Sequence, residues 1–177
     1  MGEIEMANSG RLTDMNKRDS QKNNILVLGI GNYLMGDEGV GVHLIHKLIN
    51  EKSHLINTDI LDGGVGGFTL MGYFDEYQHV IIVDATMDGK KAGTISVIKP
   101  KFASDFPPTL TAHDFGLKDM VESMYLLGRI PELYLVTVSI DEIKPMCIDL
   151  SSELQNATSE LAEKVRDLVN KITMEDA

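Results

Sequence analysis

The chain has 177 residues, of which 43% are hydrophobic and 24% charged, ordinary values for one soluble globular domain with a sizeable core. Its formal net charge of −11 argues against nucleic acid or an anionic membrane as the main partner, because both would repel it. The single cysteine, Cys147, excludes an intrachain disulfide framework and indicates a reducing compartment, the cytoplasm.

The first 23 residues are expected to lie outside the folded domain. They are polar and aperiodic, without the apolar core of a signal peptide. This composition predicts a disordered N-terminal tail over residues 1–23. Residues 24–177 are predicted to form a single domain that acts as a monomer. No apolar stretch in the chain approaches the ~20 residues needed to cross a bilayer, so no membrane association is expected.

From residue 24 onward, short apolar runs alternate with helical patterns. The predicted elements, in chain order, are a strand at 25–30, a helix at 40–51, strands at 58–64 and 79–85 flanking a helix at 67–74, a strand at 94–99, a helix at 115–128, a strand at 133–140 and a helix within 150–172. Too little chain separates 79–85 from 94–99 for a helical crossover, so the strand at 94–99 is predicted to run antiparallel. The alternation predicts an α/β fold, a three-layer α/β/α sandwich with a mainly parallel sheet.

Three acidic side chains follow predicted strands, and sites in parallel sheets form at the carboxyl ends of strands. Glu38 follows the first strand, Asp62 lies in "DGG" after the second, and Asp84 ends "HVIIVDA". The plain structural interpretation of the adjacent acids Asp37 and Glu38 is helix capping, which we assign to Asp37, leaving Glu38 for function. An Asx turn is the corresponding interpretation for Asp62 and Asp84.

The glycine-rich segment "GIGNYLMGDEGVG" at 29–41 invites a nucleotide-binding interpretation. A dinucleotide fingerprint needs a third glycine where Leu34 stands, and a P-loop needs Lys and Ser or Thr where Gly36 is followed by two acids. Acids at the start of the following helix would also occupy the position that a phosphate uses. A nucleotide-binding α/β domain is therefore the less favoured alternative.

His113 differs from the other histidines because it ends an irregular, proline-containing loop just before a predicted helix with Asp114 as its N-cap. Loops carried by a rigid sheet commonly hold ligands. Glu38, Asp84 and His113 together would form a mixed oxygen and nitrogen site for a divalent metal with open coordination positions. Spacing alone does not establish that these three side chains meet.

Four segments together resemble one family, the hydrogenase maturation proteases, which are endopeptidases that trim the large subunit of nickel–iron hydrogenases. The segments are "ILVLGIGNYLMGDEGVGVHLIHKL", "ILDGGVGG", "HVIIVDA" and "HDFGLKDM". The resemblance extends from about Asn24 to Ile140 and implies a five-stranded mixed sheet of the phosphorylase/hydrolase-like kind. It also implies metal contacts at Glu38, Asp84 and His113.

The same resemblance implies a function, the removal of a C-terminal extension from a nickel-loaded large-subunit precursor. The metal would be divalent, with nickel the first choice, and either held by the precursor or bound by the protease itself. A carboxylate not engaged by the metal could act as general base, with Glu38 preferred, and Gly36, Gly39 and Gly41 are expected to let the precursor's extended tail approach the backbone. A nickel-binding accessory protein without peptidase activity is the main alternative.

Overall fold

A computed structural model describes residues 23–101, 103–105, 114–128 and 131–177. The elements, in chain order, are β1 (Ile25–Ile30), α1 (Val40–Asn50), β2 (Thr58–Gly64), α2 (Met71–Phe74), β3 (His79–Thr86), β4 (Ile95–Ile98), α3 (Asp114–Leu127), β5 (Glu132–Ser139) and α4 (Ser152–Glu175). Short 3-10 turns at Gly36–Gly39 and Gly67–Leu70 precede α1 and α2. The predicted tail at 1–23 falls almost wholly outside the described residues and stays a prediction.

In the described part of the chain, five strands form one sheet in the order β2-β1-β3-β5-β4. All neighbours are parallel except β4, which runs antiparallel to β5 as the short connection before it predicts. β1, β3 and β5 are long apolar runs because they are covered on both faces, and every residue of β1 and β3 is buried.

Helices cover both faces of the sheet, so the predicted three-layer α/β/α sandwich is confirmed. One core lies between the sheet and the helices α1 and α4, and its members include Leu44 and Leu161, both fully buried. The other core lies between the opposite face and α2 and α3, where Phe74 and Met124 are buried. None of the helices in the ranges described above is long and apolar enough to cross a membrane.

Two helical predictions need correction. The helix predicted at 67–74 is a 3-10 turn followed by a four-residue α-helix, since Gly67 has a φ of 44° and begins the segment outside the α region. The second is the helix predicted at 115–128: helical spacing puts Val121, Met124 and Leu127 on one apolar face, and α3 buries Val121 and Met124, but Leu127 is 67% exposed. Leu127 is the last residue of α3 and Gly128 follows it with a φ of 67°, so the chain leaves the helix there.

Candidate functional site

The strand order changes direction at β1, which places the favoured ligand position of this sheet at the carboxyl ends of β1 and β3. From β1 the chain passes through α1 to β2 on one side, and then crosses through α2 to β3 on the other side. The 3-10 turn at Gly36–Gly39, which carries Glu38, contacts β3, the strand that carries Asp84. Two of the three predicted site residues therefore lie at this edge of the sheet.

Glu38 is 1% exposed, and its Oε2 atom accepts a short hydrogen bond from the backbone N–H of Asn32. This bond folds the loop after β1 back over the turn that carries Glu38. The close approach explains Gly31, because a Cβ added there would lie 2.2 Å from the carbonyl oxygen of Glu38. The loop thus fixes the orientation of a carboxylate that is withdrawn from bulk water.

Asp84 is fully buried on β3, and its Oδ1 atom accepts a hydrogen bond of 2.7 Å from the N–H of Ala85. Val83, the preceding residue, is the last residue of β3 paired with β1, opposite Gly29. Asp84 therefore stands where the two strands separate. An aspartate in this position is too deep in the sheet edge for the exposed Asx turn that strand-end statistics suggest.

His113 lies outside the described residues, so its position relative to the two carboxylates stays a prediction. Within the described ranges, no group of three or more His, Cys, Asp or Glu side chains converges closely enough to hold a metal ion. The two carboxylates supply oxygen ligands of the type that a divalent metal accepts, and a third ligand would have to come from elsewhere.

Asp37 does not cap α1, contrary to the sequence prediction. Neither the 3-10 turn nor α1 has a side-chain cap at its start, and Asp37 is buried. Its Oδ1 atom accepts a hydrogen bond of 2.6 Å from the N–H of Ser151, the N-cap residue of α4. The carboxylate thus stabilises the positive end of the longest helix, and the helix lies more than a hundred residues further along the chain.

Backbone hydrogen bonds also connect the loop after β1 with the segment before α4. The N–H of Gly36 donates to the carbonyl of Cys147 at 2.7 Å, and the N–H of Cys147 donates to the carbonyl of Leu34 at 3.1 Å. The segment before α4 is therefore paired with the loop that leads into the turn of Glu38.

The glycines of this segment have internal packing roles, which corrects the expectation that they open the backbone to a precursor. Gly36, Gly39 and Gly41 are all buried. A Cβ at Gly41 would lie 2.3 Å from the carbonyl oxygens of both Ile30 and Val83, because α1 crosses the sheet there in backbone contact. Gly36 has a φ of 61°, a conformation that favours glycine.

A shallow cavity of about 280 Å³ opens between the carboxyl ends of β1 and β2, and one residue of its lining, Asn32, is the residue whose N–H donates to Glu38. It is lined by Gly31, Asn32, Tyr33, Val42, His46, Asp62, Gly64 and Val65. Asp62 accepts a hydrogen bond of 2.9 Å from His46 Nε2, and its other oxygen accepts one from the N–H of Gly64. The register of β2 slips here, so a bulge at the end of the strand sets the direction of the Asp62 side chain.

Sequence reasoning left His43 and His46 with default exposed or core-edge roles on the helix and gave no role to Tyr33. The ring of Tyr33 lies 4.5 Å from that of His43 and 5.3 Å from that of His46. His43 Nε2 is 2.9 Å from the carbonyl oxygen of Ile148, and burial lowers the pKa of His43. The one available signal was the spacing of three between the histidines, which puts both on one helix face.

Comparison with known proteins agrees with the fold described above. A sequence model described as hydrogenase maturation protease matches residues 42–168 of the chain. The chain belongs to the hydrogenase maturation protease family. The range of the chain that this family's model matches includes Asp84 and His113 and begins shortly after Glu38.

Individual members of the family show the same relationship. The hydrogenase 2 maturation protease of Escherichia coli is 34% identical over 126 residues, covering 68% of this chain and 76% of the relative. A hydrogenase expression/formation protein, HupD, of Bradyrhizobium diazoefficiens is 35% identical over 117 residues, covering 64% of this chain but only 60% of the relative. The solved structure of the hydrogenase maturating endopeptidase HybD from Escherichia coli superposes with a TM-score of 0.75 at 29% identity, covering 84% of this chain and 93% of that one.

Proposed function

We propose that this protein is an endopeptidase that removes the C-terminal extension of a nickel–iron hydrogenase large-subunit precursor after nickel has been inserted. The observation that carries the proposal is the pair of buried carboxylates, Glu38 and Asp84, at the switch point of a sheet shared with the maturation proteases. Buried acids at a ligand-binding edge are expensive for the fold unless they serve a site.

The donor chemistry fits a divalent metal, for which nickel is our choice. Glu38 and Asp84 would supply oxygen ligands, and each is held by a backbone N–H so that it is oriented before binding. His113, by its resemblance to the family, would supply the nitrogen ligand. In our proposal the nickel arrives with the precursor and acts as the recognition key, so a precursor without nickel is not held in register for cleavage.

The reaction is hydrolysis of one peptide bond. Water adds across the bond, so the acyl carbon gains the hydroxyl group and the departing nitrogen gains a proton. A bound divalent metal would polarise the scissile carbonyl or lower the pKa of water. The general base in this scheme is a carboxylate that the metal does not engage at that step; Glu38 is our choice, because the N–H of Asn32 orients its carboxylate.

The test is to incubate the purified protein with nickel-loaded and nickel-free precursor and to measure the precursor mass. The expected result is loss of the C-terminal peptide from the nickel-loaded form alone. Binding of the nickel-loaded precursor without any cleavage would support the accessory-protein alternative and contradict the peptidase proposal. Cleavage of both forms at equal rates would leave a peptidase but overturn the recognition role of nickel.

The remaining parts of the proposal concern setting and assembly. We place the reaction in the cytoplasm, supported by the single cysteine, Cys147, which is free in the structure. The large-subunit precursor is the proposed partner, and the protein acts on it as a monomer. Neither nucleic acid nor a membrane has a part in this scheme, in keeping with the net charge of −11.

A further inference from the structure

The outer edge of β2 has no strand beside it in the described part of the chain. β2 pairs with β1 alone and so forms one border of the sheet. It has seven residues and is only partly buried, whereas β1 and β3 are buried throughout. A seven-residue edge strand with outward backbone groups at alternate residues is a template on which another strand can form.

The register identifies which backbone groups face outward. The N–H of Ile25 donates to the carbonyl of Asn57, and Ile25 lies opposite Thr58. In a parallel ladder alternate residues bond to the neighbouring strand, so Asp59 and Leu61 face β1. Thr58, Ile60 and Asp62 direct their N–H and C=O groups outward, and among the described residues no backbone group bonds to them.

The other border of the sheet is protected in ways that β2 is not. β4 has four residues and is followed by Lys99 and Pro100, two residue types that discourage edge pairing. β2, by contrast, contains no Lys, Arg or Pro between Thr58 and Gly64. β2 does carry two acids, Asp59 and Asp62, and a bulge at its carboxyl end, so its edge discourages an acidic strand but stays open to a neutral or basic one from Thr58 to Leu61.

The β2 edge leads directly into the candidate site. Asp62 and Gly64, at its carboxyl end, line the cavity together with Asn32. The N–H of Asn32 in turn holds Glu38. A chain laid along β2 toward its carboxyl end therefore approaches the cavity whose lining residue Asn32 holds Glu38.

We infer that the β2 edge binds the C-terminal segment of the precursor in an extended conformation, as a sixth strand. This inference rests on the proposed function and names how its substrate is held. Alternate N–H and C=O groups at Thr58, Ile60 and Asp62 match the two-residue repeat of an extended peptide. The charged side chains on the strand are Asp59 and Asp62, so the segment that pairs with it is neutral or basic rather than acidic.

Amide hydrogen exchange measured by NMR tests the inference residue by residue. The full-length wild-type protein is labelled in a short pulse with the nickel-loaded precursor present, before cleavage is complete, so that no residue proposed to contact the nickel is changed. On adding precursor, exchange at Thr58, Ile60 and Asp62 should slow about tenfold or more, as expected for amides that gain a hydrogen bond. The matched control is the outer edge of β4, where the outward amides of Ile95 and Val97 should keep their rates.

A matched pair of variants at Ile60 tests the same point by activity. Ile60→Pro removes an outward N–H that has no described backbone partner, and proline is tolerated on an edge strand in that orientation. Ile60→Ala trims the side chain but keeps the N–H. We expect Ile60→Ala to process the precursor at close to the wild-type rate and Ile60→Pro to be slower by about tenfold or more.

Three outcomes would overturn the inference. In the first, the wild type processes the precursor but the three amides are not slowed, or Ile60→Pro matches Ile60→Ala. In the second, the amides are already slow without precursor, because this chain covers its own edge. In the third, they slow as protein concentration rises, because a second copy occupies the edge.

If the wild type leaves the precursor uncut, the proposed function fails instead. Should Ile60→Pro not fold, the exchange measurement decides alone.

Discussion

Asp37 and Glu38 are adjacent carboxylates and both are buried, yet they have different roles. Asp37 is bonded to the start of α4, whereas Glu38 is bonded to the loop after β1 at the rim of the cavity. The direction of each side chain decides its role, since the 3-10 turn points successive residues to different sides of the segment. One acid belongs to the scaffold and the other to the proposed chemistry.

Exchanging each acid for its amide should therefore give two different phenotypes, a loss of stability for Asp37→Asn and a loss of processing for Glu38→Gln. Asp37→Asn weakens a charge-assisted bond to a helix N-terminus, so the free energy of unfolding should fall by about 1–2 kcal/mol. Glu38→Gln keeps an oxygen for the Asn32 N–H but loses the base, so processing should fall by about 10²-fold or more. Urea unfolding and the precursor cleavage assay measure the two effects.

The exposed Glu142→Gln exchange is the control for Glu38→Gln, and it should change neither stability nor processing. Normal processing by Glu38→Gln would remove Glu38 from the proposed chemistry.

His43 should make the stability of the protein depend on pH. Burial lowers its pKa below the usual 6.5 in the folded state, so the unfolded chain binds a proton first as the pH falls. Stability is thus highest above about pH 6.5 and decreases as the pH drops from there toward the folded-state pKa. His43→Gln can still donate to the Ile148 carbonyl but does not titrate.

The measurement is the free energy of unfolding at several pH values for wild type and His43→Gln. For each protein, the free energy of unfolding is plotted against pH, and the two slopes are compared between pH 7 and pH 5. Their difference reports His43, because carboxylates with a lowered pKa, such as Glu132, change stability only at lower pH. Parallel slopes over this window would mean that His43 has the same pKa in both states.

At the scale of elements, the site depends on how closely α1 lies on the sheet. Gly29 and Gly41 allow the contact, since a Cβ on Gly29 would lie 2.3 Å from the Gly41 carbonyl oxygen. The start of α1 therefore rests on β1 and β3, and the turn before it is brought over the edge where Asp84 emerges. Closeness of helix and sheet is what sets the position of Glu38.

Gly41→Ala should separate these elements. The added methyl group meets two backbone carbonyls that have no flexible end to move, so we expect a loss of about 1–3 kcal/mol in the free energy of unfolding and weaker processing. Gly72→Ala in α2 is the control, because an added Cβ there meets nothing within 4 Å. Thermal unfolding of both variants distinguishes close packing from helix propensity; equal melting temperatures would contradict the packing argument.

At the scale of the whole molecule, the features that could be predicted from the sequence are the strands and helices that local patterns of apolar residues determine. The apolar runs of β1 and β3 and the helix predicted within 150–172 appear as expected, and α4 buries Leu154, Leu161 and Val165 on one face, because burial on a sheet or helix face repeats at short range. The hydrogen-bond partner of Asp37 could not be predicted from the sequence, because Ser151 is 114 residues away and no periodicity links the two positions. Glu38 and Asp84 were found from the topology rule, while their meeting with His113 stays a prediction.

The N-terminal segment gives a test at this scale. Asn23 is the first described residue, and its side chain donates to Asp59 on β2. Removing residues 1–22 leaves this contact and all the described elements in place, so processing rate and melting temperature should equal those of the full chain. A slower rate with an unchanged melting temperature would assign the segment a part in binding the precursor.

The pairing of Leu34–Gly36 with the segment before α4 has a genetic consequence. Because Cys147 and Ser151 hold the turn of Glu38 by its backbone and by Asp37, damage to this connection is transmitted to the reacting edge. A screen for cells that lose hydrogenase maturation should return lesions between Lys144 and Ser151 as well as at the acids. Second-site suppressors of those lesions should map to the other partner of the pairing, the loop after β1.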